Sequence, residues 1–323
     1  MPYKHYDWAN SRSPPILQSH SLIKHAIIED YIELYVRNFI ATSSPNSLKI
    51  TIIDGFSGGG VYRVNGSKKL YFGSPFIFLK IIQKIEKEIK NKTGKKYYID
   101  VVYYFIDKSK DALDFLRKQL HKNGYGKLIG EHIFLLNGSF SNILSGLTEI
   151  IKHRNGRVLF LLDQYGYKDV PLHIIKNIFI NFYNAEVLLT FAVGSLVNYI
   201  TDTPQFYKCV SGVQKEKYSL LSKKDIILLT SLKEKISDKA TWRLIAEHKI
   251  LKRINKILGT LNCAPCFIVS NQSNRRYWLL HLSTQIKTRN KMMKLYSDKH
   301  NLFIHNKALG FSMFGFKPKI KSQ

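Results

Sequence analysis

Short, nearly continuous apolar runs alternate with amphipathic segments through the first two hundred residues. Segments between the runs repeat apolar residues at helical spacing with Lys and Glu opposite, as over residues 75–90 and 141–152. Five runs are rich in β-branched and aromatic residues: 49–53, 100–106, 132–136, 157–162 and 186–192. Runs of this length without polar alternation are typical of strands buried on both faces of a parallel sheet. The pattern therefore predicts a doubly wound α/β sheet with right-handed crossovers.

The pattern changes after residue 200. Residues 214–258 are polar, rich in Lys and helical in spacing, without a candidate strand. Two apolar runs, CFIVSN (266–271) and YWLLHLS (277–283), then flank the stretch QSNRR and predict an antiparallel hairpin. Five parallel strands and a late hairpin make up a seven-stranded, mostly parallel, Rossmann-like sheet, the order found in class I methyltransferases. The expected division is an N-terminal segment and helix (1–48), a cofactor-binding core (49–200), a helical insertion (201–260), and the closing hairpin with a basic C-terminal segment (261–323).

Charge narrows the choice of partner. The 323 residues include 50 Lys plus Arg and 23 Asp plus Glu, a net charge of +27, while a hydrophobic content of 45% is enough to build a core and excludes a disordered basic tail. Codon bias accounts for abundant Lys but not for the scarcity of carboxylates. We expect contact with nucleic acid, the commonest polyanion, carried by the helical insertion and the C-terminal third. Basic residues near the hairpin are the candidates: Arg275, Arg276, Arg289 and Lys291.

Several protein classes are disfavoured. Three cysteines argue against a disulfide framework and for a reducing compartment, so we expect a cytoplasmic protein without a leader segment. The apolar stretch 174–200 is interrupted by polar residues and falls short of a membrane span. Cys263 and Cys266 form a single C-x-x-C without partners at zinc-finger spacing, so no metal is expected.

The loop IDGFSGGG (53–60) follows the first predicted strand. Asp54 stands at the carboxyl end of that strand, where open α/β sheets bind ligands. The order D-x-F-x-G-x-G, with Phe56, Gly58 and Gly60, matches the S-adenosylmethionine loop and differs from the G-x-G-x-x-G of nicotinamide-binding proteins. A glycine-rich turn without a ligand is the alternative. We interpret the segment as a cofactor-binding loop.

Two later loops extend the candidate cofactor site. Asp107 ends the next strand, from where a carboxylate can accept both ribose hydroxyls, and residues 61–74 are expected to form an extended loop between the two acids. Ser139 and Asn137, after the third strand, are available for hydrogen bonds to the adenine edge. A structural acid and an ordinary turn are the respective alternatives.

The loop after the fourth strand, LLDQYGY (161–167), provides candidate catalytic residues. In amino-group methyltransferases a polar residue here is followed by Pro-Pro and an aromatic residue; it accepts a hydrogen bond from the target amine, and the aromatic ring stacks on the base. Asp163 fits the acceptor and Tyr165 or Tyr167 the stacking ring, and we take Asp163 and Tyr165 as the candidate catalytic residues. Gln164 replaces the first proline, so Asp163 contacting only a ligand, or capping the next helix, remains an alternative.

These motifs together resemble the three-Cys-motif partner family, whose usual forms are close to DGFAGxGxY, GSP and DPFG or DPYG. The matching elements run over nearly the whole chain: Trp8, KHAIIEDYI (24–32), IDGFSGGGVY (53–62), GSP (73–75), FID (105–107), LLDQYGY (161–167), YWLLHLS (277–283) and TRNKMMKLY (288–296). The family name implies a partner protein, encoded nearby, that carries the three-Cys motif. The N-terminal half is also similar to ribosomal RNA adenine-N6 methyltransferases, which implies that Lys24 lies near the methionine carboxylate of S-adenosylmethionine.

Two hypotheses follow. The first is an S-adenosylmethionine-dependent methyltransferase that acts on nucleic acid, with an exocyclic adenine amine as the expected target. The alternative is a nucleic-acid-binding component of a mobile-element or antiviral defence system that keeps the fold without the transfer, which the Gln164 departure favours. A protein methyltransferase is disfavoured by the charge.

Overall fold

The structure of the chain is a computed structural model. It describes residues 6–8, 14–42, 48–64, 66, 69–94, 98–211, 218–259, 262–269 and 276–296. The β-strands are β1 (Lys49–Asp54), β2 (Val61–Arg63), β3 (Leu70–Phe72), β4 (Asp100–Asp107), β5 (Ile133–Asn137), β6 (Arg157–Leu162), β7 (Ala185–Phe191), β8 (Asn262–Val269) and β9 (Arg276–Ser283). The α-helices are α1 (Ser19–Thr42), α2 (Ser74–Thr93), α3 (Lys110–Lys122), α4 (Phe140–Arg154), α5 (Leu172–Asn181), α6 (Val193–Asn198), α7 (Pro204–Ser211), α8 (Lys223–Lys235), α9 (Lys239–Leu258) and α10 (Ile286–Leu295), with a short 3-10 helix at Gly126–Leu128.

Seven strands form one sheet in the order β5-β4-β1-β6-β7-β9-β8. The first five are parallel, and β9 pairs antiparallel with both β7 and β8. Numbered along the chain within this sheet, the order is 3-2-1-4-5-7-6, which confirms the predicted class I methyltransferase-like architecture with its late hairpin. The strand order reverses between β1 and β6, so the crevice expected to hold a ligand opens at the carboxyl ends of those two strands.

Alternate residues of each central strand face opposite layers. Ile50 and Ile52 of β1 pack with α1, α2, α3 and α10 on one face, whereas Ile53 packs with α4 to α9 on the other. The predicted helical segment after residue 200 forms α7, α8 and α9 on this second face. Trp242 of α9 is buried there and donates its indole N–H to the carbonyl of Leu229 in α8, at 2.8 Å.

One expectation for the core needs correction. Residues 61–74 are not simply an extended loop, because β2 and β3 pair as a short antiparallel hairpin with Tyr62 opposite Tyr71. Gly73 then donates to the carbonyl of Gly60 at 2.8 Å, and α2 begins at the next residue. The hairpin therefore returns the chain directly to the glycine loop instead of extending into solvent.

Helix α1 crosses the first face of the sheet from the carboxyl ends of the parallel strands toward their amino ends. Lys24 in its early turns reaches Asp163 at the carboxyl edge, and Tyr31 donates to Glu186 near the start of β7. Farther along, the guanidinium of Arg157, the first residue of β6, stacks over the ring of Phe39 at 4.1 Å. The helix thus runs antiparallel to the parallel strands. None of the helices in the described part of the chain is long and apolar enough to cross a membrane.

Candidate active site

Three carboxylates meet at the carboxyl edge of the sheet. Asp54 ends β1, Asp107 ends β4, and Asp163 follows β6 directly. Because these strands are neighbours in the order β4-β1-β6, their carboxyl ends lie side by side. Lys24 brings one positive charge to the group, so the edge suits a ligand that carries cationic groups and hydroxyl donors.

Asp54 is fully buried. Burial raises the pKa of its carboxyl to about 7; hydrogen bonding from the Ser74 side chain and the Phe56 backbone opposes this rise, and the charges of Asp163 and Asp107 add to it. Its Oδ1 accepts from the Phe56 N–H at 3.2 Å, whereas Oδ2 has no hydrogen bond of good geometry from any described residue. An ordered donor at this oxygen would remove an unfavourable buried acceptor.

Asp107 holds the glycine loop in place. Its Oδ2 accepts from the backbone N–H of Gly58 at 2.9 Å, and its Oδ1 accepts from that of Ser109 at 2.8 Å. Gly58 and Gly60 have φ angles of 57° and 73°, a region that glycine adopts without the strain of a side chain. The two predicted cofactor elements are therefore joined by a direct hydrogen bond.

The outer side of the glycine loop is covered by aromatic rings. Trp8 is buried against Tyr62 and Phe115, with ring centroids 5.3 Å from each. A Cβ added at Gly59 would overlap the Trp8 indole, so glycine is required there by close packing. Tyr6 packs on both Trp8 and Tyr62. Sequence reasoning assigned no role in the site to Tyr6, because two aromatic residues in a short polar segment show no periodicity.

Asp163 is paired with Lys24. The Lys24 ammonium lies 2.6 Å from Oδ1 and 2.5 Å from Oδ2 of Asp163. Burial alone would raise the pKa of Asp163, but the charge of Lys24 and its hydrogen bonds outweigh that effect and hold the pKa below its usual value. His25, beside Lys24, is neutral at pH 7 because burial and the Lys24 charge lower its pKa to about 4. The structure thus brings together two residues predicted for different roles, cofactor binding and catalysis.

Gln164, the departure from the usual motif, points into the protein. Its side chain is buried and its Oε1 accepts from the backbone N–H of Val170 at 2.8 Å, which closes the loop after β6. Tyr165 remains 38% exposed, and burial together with Tyr6 and the nearby carboxylates raises its pKa. Tyr167 instead packs against Phe191. Of the two candidate stacking rings, Tyr165 is therefore the one open to an incoming group.

Phe56 and Ser139 have local structural contacts. Phe56 is partly buried in the second core layer and its backbone anchors Asp54. The Ser139 side chain caps α4 by accepting from the Asn142 N–H at 3.4 Å. Asn137 donates to the carbonyls of Asp107 and Lys108, at 3.0 and 3.1 Å. Asn137, the last residue of β5, thus supports the Asp107 loop, whereas Ser139 supports the start of α4.

The predicted nucleic-acid residues separate into two groups. Arg276 begins β9 next to the end of β7, at the same edge as the three acids. Arg289 and Lys291 lie on α10 near the opposite edge, where Arg289 Nε is 3.5 Å from the carbonyl of Cys263 and Lys291 donates to Asn38 at 2.8 Å. Arg275 lies outside the described residues.

Arg276 belongs to a charge cluster that sequence reasoning missed. Glu247 of α9 is buried, with its Oε1 3.7 Å from Arg276 and 3.5 Å from Arg243. Two guanidinium groups thus share one carboxylate, so the cluster itself keeps a net positive charge. Arg243 and Glu247 are two of many charged residues in the α9 sequence. Only the packing of α9 brings them to the start of β9, where Arg276 lies. No group of three potential metal ligands occurs within the ranges that the structure describes.

No family model matches the chain, and no curated protein matches it. Solved structures with similar folds include protein LPL1258 from Legionella pneumophila, at 11% identity, covering 89% of this chain and 93% of that one with a TM-score of 0.46. Others are a SAM-dependent methyltransferase from Agrobacterium tumefaciens (8% identity, 81% and 62% covered, TM-score 0.38) and an rRNA methylase from Streptococcus thermophilus (12% identity, 79% and 93% covered, TM-score 0.32). With each of these TM-scores below 0.5, the fold assignment rests on the strand order of the sheet.

Proposed function

We propose that the chain binds S-adenosylmethionine at the carboxyl edge of the sheet and transfers its methyl group to an amine of a nucleic acid. The observation that carries this proposal is the direct bond between the Gly58 backbone and the Asp107 carboxylate, beside the fully buried Asp54. A loop of the form D-x-F-x-G-x-G is thereby placed against the acid that ends the neighbouring strand β4, beside the point between β1 and β6 where the strand order reverses.

The residues of this edge fit the parts of the cofactor. The Asp107 carboxylate, fixed at the end of β4 by the Gly58 and Ser109 N–H groups, is the proposed acceptor of the ribose hydroxyls. Asp54, with an acceptor oxygen that no described residue satisfies well, lies near the cationic part of the ligand, which favours its ionised form. Lys24 is the cation available for the methionine carboxylate.

Methyl transfer to an amine requires Asp163 to accept a hydrogen bond from that amine. Bound S-adenosylmethionine supplies an electrophilic methyl group. Asp163 accepts a hydrogen bond from the target amine and orients its lone pair, while Tyr165 stacks on the base that carries the amine. Lys24 contacts both oxygens of Asp163, so the amine has to bind at a lone pair that the ammonium leaves open. Transfer of Lys24 to the cofactor carboxylate would free further acceptor positions.

The charge of the chain supports nucleic acid as the substrate. A net charge of +27 attracts polyanions, and Arg243 with Arg276 provides guanidinium groups at the edge that holds Asp163. Adenine N6 is the target that the likeness to ribosomal RNA adenine-N6 methyltransferases suggests. A partner with the three-Cys motif is likewise proposed from resemblance alone.

Cofactor binding is tested by calorimetric titration of the purified protein with S-adenosylmethionine. We expect one site per chain and a loss of affinity of at least tenfold in Asp107→Asn, because the ribose acceptor is weakened. Asp111→Asn is the matched control, since Asp111 is exposed on the neighbouring helix α3. Absence of heat and of a melting shift at millimolar cofactor would contradict the proposal.

A second candidate function is binding without transfer, as in a component of a defence system. The observation that favours it is the engagement of both Asp163 oxygens by Lys24, together with the inward position of Gln164. Incubation with labelled cofactor and total DNA or RNA separates the two candidates. Methyl incorporation that Asp163→Ala abolishes selects the transferase, whereas cofactor binding without incorporation selects the binding protein.

A further inference from the structure

A second cavity lies at the opposite edge of the sheet from the three acids. Its volume is about 160 Å³, and it lies between α1, the start of α10 and the amino ends of β6 and β7. At a rise of about 3.3 Å per strand residue, the six residues of β6 separate it from the Asp163 edge by roughly 20 Å. The cavity is therefore distinct from the proposed cofactor site.

The floor of the cavity is aromatic and contains one carboxylate. The rings of Tyr31, Tyr35 and Phe39 line it, and all three are buried. Glu186 is also buried there, and its Oε2 accepts from the Tyr31 hydroxyl at 2.5 Å and from Nε2 of His281 at 2.7 Å. A carboxylate offers about four acceptor positions, so Glu186 can receive a further N–H.

Tyr35 adds an unsatisfied polar group beside the paired Glu186 carboxylate. Its hydroxyl is buried and has no hydrogen-bond partner among the residues that the structure describes. Burial, together with the nearby Glu186 charge, raises the pKa of Tyr35 well above its ordinary value, so the hydroxyl keeps its proton. Burial of a carboxylate and of an unpaired phenol destabilises the folded state. Their presence under a ring-lined space therefore indicates that they bind a ligand.

The rim of the cavity is cationic. Lys287 and Lys291 on α10 are exposed, and Arg157 lies over the ring of Phe39. Lys291 is held by Asn38 at 2.8 Å, which fixes its ammonium at the rim. Glu186 is the only acid among the described residues that line the cavity, and these residues place three positive charges at the rim above one buried negative charge. An anionic group of a ligand is stabilised at this rim.

The volume of the cavity limits which part of a ligand can enter it and which part stays at the cationic rim. The cavity is smaller than the ~300–1,000 Å³ of pockets that enclose a whole drug-sized ligand. One flat ring system fits inside, stacked on the tyrosine and phenylalanine rings, and the rest of the ligand stays at the rim. We propose that this cavity binds a nucleotide, with the base inside, one of its N–H groups on Glu186, and the phosphate on Lys287, Lys291 and Arg157.

The test is calorimetric titration with AMP and, in parallel, with adenosine and with inorganic phosphate. We expect one AMP per chain at this site, and adenosine at least tenfold weaker because it lacks the rim contacts. Lys291→Ala should weaken AMP at least fivefold and leave adenosine unchanged. Lys294→Ala, an exposed lysine of α10 outside the cavity lining, is the matched control and should bind AMP as the unmodified protein does.

Two further experiments test where AMP binds and whether its base comes from a nucleic-acid strand or a free nucleotide. Glu186→Gln should weaken AMP and adenosine alike, whereas Asp107→Asn should leave AMP binding unchanged and saturating S-adenosylmethionine should not displace AMP. An adenine oligonucleotide that displaces AMP identifies a nucleic-acid strand as the source of the base, and failure to displace it identifies a free nucleotide. No heat with AMP, GMP, CMP and UMP at millimolar concentration, or full AMP affinity in Lys291→Ala, would overturn the proposal.

Discussion

Lys24 and Asp163 lie 139 positions apart in the sequence and form an ion pair in which the ammonium contacts both carboxylate oxygens, at 2.6 and 2.5 Å. The side chains are 10% and 24% exposed. This pair joins α1 to the loop after β6 and places the positive charge of the Lys-His segment beside the proposed acceptor of the target amine. Its strength therefore bears on both folding and substrate access.

Removing Lys24 should leave Asp163 as an unpaired, largely buried charge. We expect Lys24→Met to lower the free energy of unfolding at pH 7 by about 2–4 kcal/mol, somewhat below the cost for a fully buried pair because Asp163 keeps some exposure. Lys84→Met is the matched control, since Lys84 pairs with Glu33 at the surface and should lose about 1 kcal/mol or less. Urea unfolding of the three proteins measures the difference.

The same variant has a pH signature. Lys24 keeps the pKa of Asp163 below its unfolded value, so the stability from this pair is complete above about pH 4 and is lost as the pH falls through the folded pKa. The deficit of Lys24→Met should therefore shrink as the pH falls from 7 toward 3, the direction in which Asp163 takes up its proton. A deficit equal at pH 3 and pH 7 would show that lost packing, and not the charge, causes it.

Asp54 should destabilise the fold as the pH rises. Its folded pKa of about 7 exceeds the unfolded value of about 3.9, so the folded state binds more protons between these limits, and stability falls by up to about 1.4 kcal/mol per pH unit. His25, with its pKa lowered to about 4, acts in the opposite direction up to about pH 6.5. The difference between the unmodified protein and Asp54→Asn isolates the Asp54 contribution.

We expect Asp54→Asn to gain stability relative to the unmodified protein as the pH rises from 5 to 8, measured by thermal unfolding. Asp111→Asn should show no such trend, because Asp111 is exposed. Parallel curves for the unmodified protein and Asp54→Asn would show that the carboxyl is already ionised at pH 5.

Gly59 should not tolerate a side chain. A methyl group there overlaps the Trp8 indole, so Gly59→Ala should cost about 1–3 kcal/mol through overpacking and displace Trp8 from the loop. Gly146→Ala, in the middle of α4 with open space around its Cβ position, should instead stabilise by up to about 1 kcal/mol. Denaturant unfolding followed by tryptophan fluorescence reports both changes, and equal stabilities of the two variants would contradict the close packing.

Nucleic-acid binding should depend on the two basic groups unequally. If the strand approaches the carboxyl edge, Arg276→Gln should reduce the slope of log affinity against log salt by about 0.7–0.9, the contribution of one phosphate contact. Lys291→Gln, at the other edge, should leave the slope unchanged. Filter binding between 50 and 200 mM salt provides the comparison, and the reverse result would place the strand along α10.

The fold was accessible from the sequence because four of the five parallel strands are buried on both faces and lack polar alternation, and the partly buried edge strand β5 is apolar as well. The apolar runs coincide with β1, β4, β5, β6 and β7 to within a few residues. The hairpin β2–β3 was missed because each strand has three residues, too few to show a period of two. Its formation depends on the return of Gly73 to Gly60, a tertiary contact.

The acids of the site were predictable because each ends a strand, a position that can be read from local pattern. Their pairing was not. Lys24 reaches Asp163 only through the path of α1 across the sheet, and Arg243 reaches the start of β9 only through the packing of α9. The end at which Arg276 lies was open in the sequence and became defined by the register of β9 on β7.

Helix α1 contributes residues to both proposed binding sites. Lys24 and Tyr35 are eleven residues apart on one continuous helix, about 16 Å at a rise of 1.5 Å per residue. A displacement of α1 along its axis would therefore alter the Asp163 ion pair and the aromatic floor of the distant cavity together. If both ligands shift this helix, each would change the affinity of the other by the same factor.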